Sequence, residues 1–115
     1  MLRSERDYLM RMIALAAAAV ARLREKLAAG ARPADIVGEV RSVQSQLLGK
    51  DLAIYRALDG ASAASLIGDK ETMRAWADLL ELEAEALHAD GHVDEAVRIE
   101  RMVAALRRCQ PSSDL

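Results

Sequence analysis

The sequence predicts an all-α bundle of about five to six helices, and three observations carry that prediction. Alanine accounts for 23 of the 115 residues, and alanine with leucine, arginine and glutamate favours helix. Phenylalanine is absent, with two tyrosines and one tryptophan, and runs of Val, Ile or Thr that would suit a strand are scarce. Apolar residues recur at alternating steps of four and three, which places them on one face of a helix. The length leaves room for one core rather than two. A single helical domain is therefore expected over residues 1–110, with a flexible tail at 111–115. At 52 % hydrophobic and 30 % charged residues, the chain belongs to neither the disordered nor the fibrous classes.

The first helix is expected from Ser4 to Ala29. Ser4 suits the N-cap, and Glu5 and Asp7 fall in the first turn, where the helix dipole favours acids. Leu9, Ile13, Ala16, Val20, Leu23 and Leu27 form a heptad-like seam that Tyr8, Met12 and Leu15 widen. Gly30 ends it. This segment imitates an export signal, with a basic start, an apolar stretch from Met12 to Ala21 and an Ala19-Val20-Ala21 triplet. Glu5 and Asp7 in the basic start, the weak hydrophobicity of alanine and the seam running on to Leu27 identify it instead as a core helix. The stretch is also too short to span a bilayer.

Pro33 opens a second helix to Leu48, with Ile36, Val40, Val43 and Leu47 on its seam and Gly49 at its end. Gly38 inside that helix costs about 1 kcal/mol relative to alanine; a tight helix crossing is one reason for a glycine there, and the sequence does not show it. The middle breaks into two short pieces. Asp51 to Leu58 reads as two turns, Gly60 interrupts, and Ser62 to Ile67 forms another short helix before Gly68. A long helix starts behind Asp69 as N-cap and runs to Asp90, burying Met73, Trp76, Ala77, Leu80, Ala84 and Leu87. Asp78, Glu81 and Glu85, next to Glu71 and Glu83, are expected to form a solvated acidic face. Gly91 stops that helix. The last one, His92 to Arg108, carries Val93, Ala96, Val97, Met102, Val103 and Leu106, with acids at its start and arginines at its end.

Chemistry is conspicuous by its scarcity. Net charge is −2, so nothing global draws the chain to nucleic acid or an anionic membrane. Residues 1–56 carry a balance of +4 and residues 57–115 one of −6, and the two halves are expected to face each other within one bundle. Arg3, Arg6, Arg11, Arg22, Arg24, Lys26 and Arg32 are spread around the first helix, and only Tyr8 among them offers a ring to stack on a base. Cys109 is the single cysteine, which excludes an internal disulfide and points to a reducing cytoplasm. Arg107 and Arg108 beside it favour a thiolate, but no histidine stands near it in sequence. His88, Asp90, His92 and Asp94 come nearest to a metal cluster, yet Gly91 breaks the helix between the histidines. The serines have no histidine at a nucleophile spacing, and Ser112 and Ser113 fall in the tail. The carboxylates are expected on exposed faces, where pKa shifts are small.

From Trp76 to Leu106 the chain resembles a tetratricopeptide helical hairpin. The resemblance rests on Gly91-His92-Val93-Asp94-Glu95-Ala96, similar to that motif's turn of glycine, two variable residues, Asp-Glu and a small alanine where the helices cross. Leu80 and Leu87 match large positions of its first helix, and Val103 a smaller position of its second. Glu83 stands where the family has leucine, and Glu100 where it has a large apolar residue. The segment Arg6-Asp7-Tyr8-Leu9-Met10-Arg11-Met12-Ile13 resembles the opening of a small all-helical bacterial family of unknown function, in which an apolar helix precedes a tetratricopeptide-like end. That resemblance implies a fold and a bacterial cytoplasmic origin, and no functional residue.

These readings assign no catalytic residue, cofactor or metal. The expected role is non-enzymatic protein–protein interaction, as a homodimer, because the first helix is apolar over a wider arc than one neighbour covers. The alternative is a small-molecule or metal-binding helical bundle. Neither nucleic acid nor a membrane is expected as partner.

Overall fold

A computed structural model describes residues 2–109, with side chains from Glu5 onward. It consists of α1 (Leu2–Ala28), α2 (Pro33–Leu48), a 3-10 turn at Gly49–Asp51, α3 (Leu52–Ala57), α4 (Gly60–Ile67), α5 (Lys70–Ala89) and α6 (Val93–Arg108). No strand occurs among the described residues, so the all-α architecture read from composition and periodicity holds. The tail at 111–115 lies outside the described residues. So does the side chain of Ser4, and the helix it was expected to cap already begins at Leu2.

Helix ends follow from local chemistry. The Asp69 carboxylate accepts from the Thr72 backbone N–H at 2.8 Å and from its hydroxyl at 2.7 Å, satisfying a donor that the first turn leaves free. Asp59 caps α4 in the same manner through the Ser62 N–H at 2.8 Å. Gly60 is thus the first residue of α4 rather than a break before it. At the far end of α5 the chain reverses through Gly91 at φ 83°. The His92 N–H donates to the Leu87 carbonyl at 2.9 Å and the Gly91 N–H to the His88 carbonyl at 3.1 Å, the paired bonds of a Schellman turn.

α5 is the axis of the molecule: α1, α2 and α6 all pack on it, and α4 lies on α6 and α5. Met73, Trp76, Leu79, Leu80, Leu82 and Leu87 are buried along it, with alanines 75, 77, 84 and 86 letting neighbours approach. α1 contributes Ala16, Ala19, Val20 and Leu23, so the Ala19-Val20-Ala21 triplet sits inside an unbroken core helix. α6 contributes Ala96, Ile99, Val103 and Leu106; Val93, expected on its apolar stripe, is exposed instead. Leu9, Ile13 and Leu27 of the first seam are half-buried, and Tyr8 and Leu15 lie in solvent. No described helix is long and apolar enough to cross a membrane.

Two glycines differ from the sequence reading. Nothing lies within 4 Å of where a Cβ on Gly38 would stand, so it marks no crossing. At Gly60 the same atom would collide with Ala105 Cβ and lie 3.0 Å from the Met102 carbonyl oxygen. The tight crossing is therefore between α4 and α6.

Candidate functional site

The one fully buried carboxylate among the described residues is Glu83, at 0 % exposure, where a solvated acidic face was expected. Helical geometry explains the correction. Glu83 follows Trp76 by seven residues, or about two turns, and shares its inward face, whereas Glu81 and Glu85 lie on the other side.

Burying a carboxylate is costly unless charge and hydrogen bonds compensate it, and here both oxygens are saturated. Oε1 accepts from Gln44 Nε2 at 2.7 Å and from Arg56 Nη1 at 2.9 Å. Oε2 accepts from Arg56 Nη2 at 2.9 Å and Arg41 Nε at 3.0 Å. Arg56 is thus bidentate, the strongest geometry for this pair. Arg41 uses its second nitrogen on Glu95 of α6 at 2.8 Å, so two guanidiniums and two carboxylates balance. Gln44, also wholly buried, turns its oxygen to Arg56 Nη1 at 2.9 Å and to Trp76 Nε1 at 3.0 Å. Tyr55 of α3 tilts against Trp76, ring centroids 6.1 Å apart. Burial pushes the Glu83 carboxyl up, and the bonds from Arg56, Gln44 and Arg41 outweigh it, holding the group below the usual glutamate range. One cluster therefore ties α2, α3, α5 and α6 together.

The residues singled out in the sequence are distributed differently. His88 Nε2 lies 3.0 Å from Glu100 Oε2, and His92 Nε2 lies 3.1 Å from Asp90 Oδ2. Each histidine thus faces its own carboxylate. Among the described residues no three His, Cys, Asp or Glu side chains stand together as metal ligands. The acidic face is covered by cations of the same chain: Arg107 donates to Asp78 and Glu81, and Arg24 to Glu85. Arg22 and Lys26 stand 3.7 and 3.9 Å from Glu39. Cys109 is free and exposed, while Arg107 beside it points to α5. The charge asymmetry between the two halves is therefore largely spent inside one molecule, through Arg24, Arg41 and Arg56 on acids of α5 and α6.

Gln44, Arg41 and Arg56 were missed by sequence reasoning because Glu83 lies 27–42 residues away from them. A signal did exist for Glu83 itself. It occupies the empty step between Leu80 and Leu87 on the apolar seam of α5, where the tetratricopeptide pattern has leucine.

Fold and site together define an all-α bundle built on a central helix and cross-braced by a buried carboxylate. No family model, curated protein or solved structure matches the chain.

Proposed function

We propose that the protein is a non-enzymatic interaction module that acts through protein–protein contact and pairs with a second copy of itself through α1. The observation that carries this reading is the uncovered face of α1: Tyr8 is 55 % and Leu15 52 % exposed, with Met12 half-buried between them. α1 has 27 residues against 16 in α2, roughly 40 Å against 24 Å at 1.5 Å per residue. Its N-terminal part thus outruns the helix packed beside it. The short middle helices pack on α2, α5 and α6 rather than over this face. A two-fold axis would bring the patch onto its own copy.

The non-enzymatic part of the reading is supported by Glu83, whose four accepted hydrogen bonds leave no free lone pair for proton transfer. The packing of α5 on α6, with Ala96 wholly buried, is compatible with a tetratricopeptide-like C-terminal half. The free Cys109 fits a reducing cytoplasm. Protein, rather than nucleic acid or membrane, is the partner on this reading. Light scattering tests it: a mass near twice 12.5 kDa, reduced by Leu15→Glu with helicity retained, is expected, and a monomer at all concentrations would refute it.

A further inference from the structure

We propose that the cleft between the α3–α4 junction and α6 binds an amphiphilic monoanion, a carboxylate head on an apolar body. The cleft encloses about 380 Å³, at the small end of the roughly 300–1,000 Å³ typical of ligand sites. Its floor is hydrocarbon: Leu80 and Ile99 are buried beneath it, and Leu58 and Met102 are half-buried at its sides. Gly60, pressed onto Met102 and Ala105, forms one wall. Water over such a floor is readily displaced by an apolar group.

The rim supplies the charge. Arg98 and Arg101 stand one helical turn apart on α6 and both line the cleft. Neither has a carboxylate within ion-pairing distance among the described residues, whereas Arg24, Arg41, Arg56 and Arg107 each have one. Arg56 reaches the cleft but is held by Glu83 and Gln44. The acid on the rim, Asp59, is occupied in capping α4 through the Ser62 N–H and hydroxyl. Those neutral donors leave Asp59 its negative charge, so among the described residues the rim carries two unpaired guanidiniums against one carboxylate, a positive excess that a single anionic head complements. The planar donor forks of the arginines match a carboxylate. A charged head between them and an apolar body on the floor satisfy both halves of the cleft. An inorganic anion satisfies one half and a neutral alcohol the other.

The cleft has a built-in reporter. Arg56 donates to Gln44, whose oxygen also accepts from Trp76 Nε1, so the indole N–H of the sole tryptophan is two hydrogen bonds from the cleft wall. The test is a ¹H–¹⁵N NMR titration of the full chain with decanoate, and with decanol and inorganic phosphate for comparison. Decanoate is expected to give saturable shifts at the amides of residues 58–61 and 98–105 and at the Trp76 indole, with decanol and phosphate at least about tenfold weaker. Arg98 and Arg101 are exposed, so the double variant Arg98→Gln/Arg101→Gln should keep its melting temperature while losing about tenfold or more in affinity. Absence of shifts at the cleft, equal binding of decanol, or decanoate affinity unchanged in the double variant would each overturn the assignment.

Discussion

Glu83 shows how much one residue can decide. Removing its carboxylate leaves Arg41 and Arg56 facing each other and Gln44 without its acceptor. Loss of one partner of a buried pair costs about 3–5 kcal/mol. Arg41 and Arg56 retain 44 % and 23 % side-chain exposure and can turn to water. Glu83→Ala is therefore expected to cost about 2–4 kcal/mol in urea unfolding, and a loss within the scatter of surface variants would contradict the network's role. The pH dependence has a definite sign. The folded carboxyl sits below its ordinary value of 4.5, so its contribution is complete above that value and is lost as pH falls through the lower folded one. Acid titration of stability should show this limb in the wild type and a flatter one in Glu83→Gln, which starts from lower stability at neutral pH. Gly60 is decisive for a steric reason. Gly60→Ala forces α4 away from α6 and should destabilise by about 1–3 kcal/mol, whereas Gly38→Ala, in open space, should stabilise its helix by up to about 1 kcal/mol.

Among the elements, α3 depends most on the site. It has no fully buried residue, and at six residues its own helical propensity is negligible. Its hold on the bundle comes from Arg56 on Glu83 and from Tyr55 on Trp76, supported by the half-buried Leu52. Arg56→Ala should therefore speed hydrogen exchange at residues 52–57 while α5 keeps its protection; equal protection in both proteins would mean that packing alone retains the helix. α1 behaves in the opposite way, since its middle is core. Deleting residues 1–21 removes Ala16, Ala19 and Val20 together with the half-buried Ile13. Large buried side chains contribute about 1.5–3 kcal/mol each to a total of roughly 5–15 kcal/mol. The truncated chain should melt far lower or fail to fold, and an unchanged melting temperature would show that the segment contributes nothing to the core.

For the whole molecule, Arg24, Arg41 and Arg56 of the basic half pair with acids of the acidic half within a single chain, so those charges are already engaged before any association. The uncovered surface of α1 also includes the apolar side chains of Tyr8 and Leu15. Self-association on that face should then appear as a melting temperature that rises with protein concentration, because mass action stabilises a folded dimer. Leu15→Glu should abolish the concentration dependence while leaving the dilute-solution value unchanged, since Leu15 lies outside the monomer core. A melting temperature independent of concentration in the wild type would exclude a folding-linked dimer.

By itself the sequence determined the class and most of the helix ends. Periodicity and capping are local, so α2 was legible from Pro33 to Leu48, and Asp69 and Gly91 could be read as the ends of α5. The seam of α1 through Ala16, Val20 and Leu23 was legible for the same reason. The start of α4 was misplaced at Ser62, because Gly60 reads as a break unless Asp59, three residues before Ser62, is recognised as the side-chain cap. Only the tertiary structure decided that Glu83 is buried, that Gly60 rather than Gly38 marks the close approach, and that Leu15 stays in solvent. Each of these depends on which neighbour covers a face. Gln44, Arg41 and Arg56 reach Glu83 across 27–42 residues of chain, a juxtaposition that packing around α5 creates and that local spacing along the sequence does not encode.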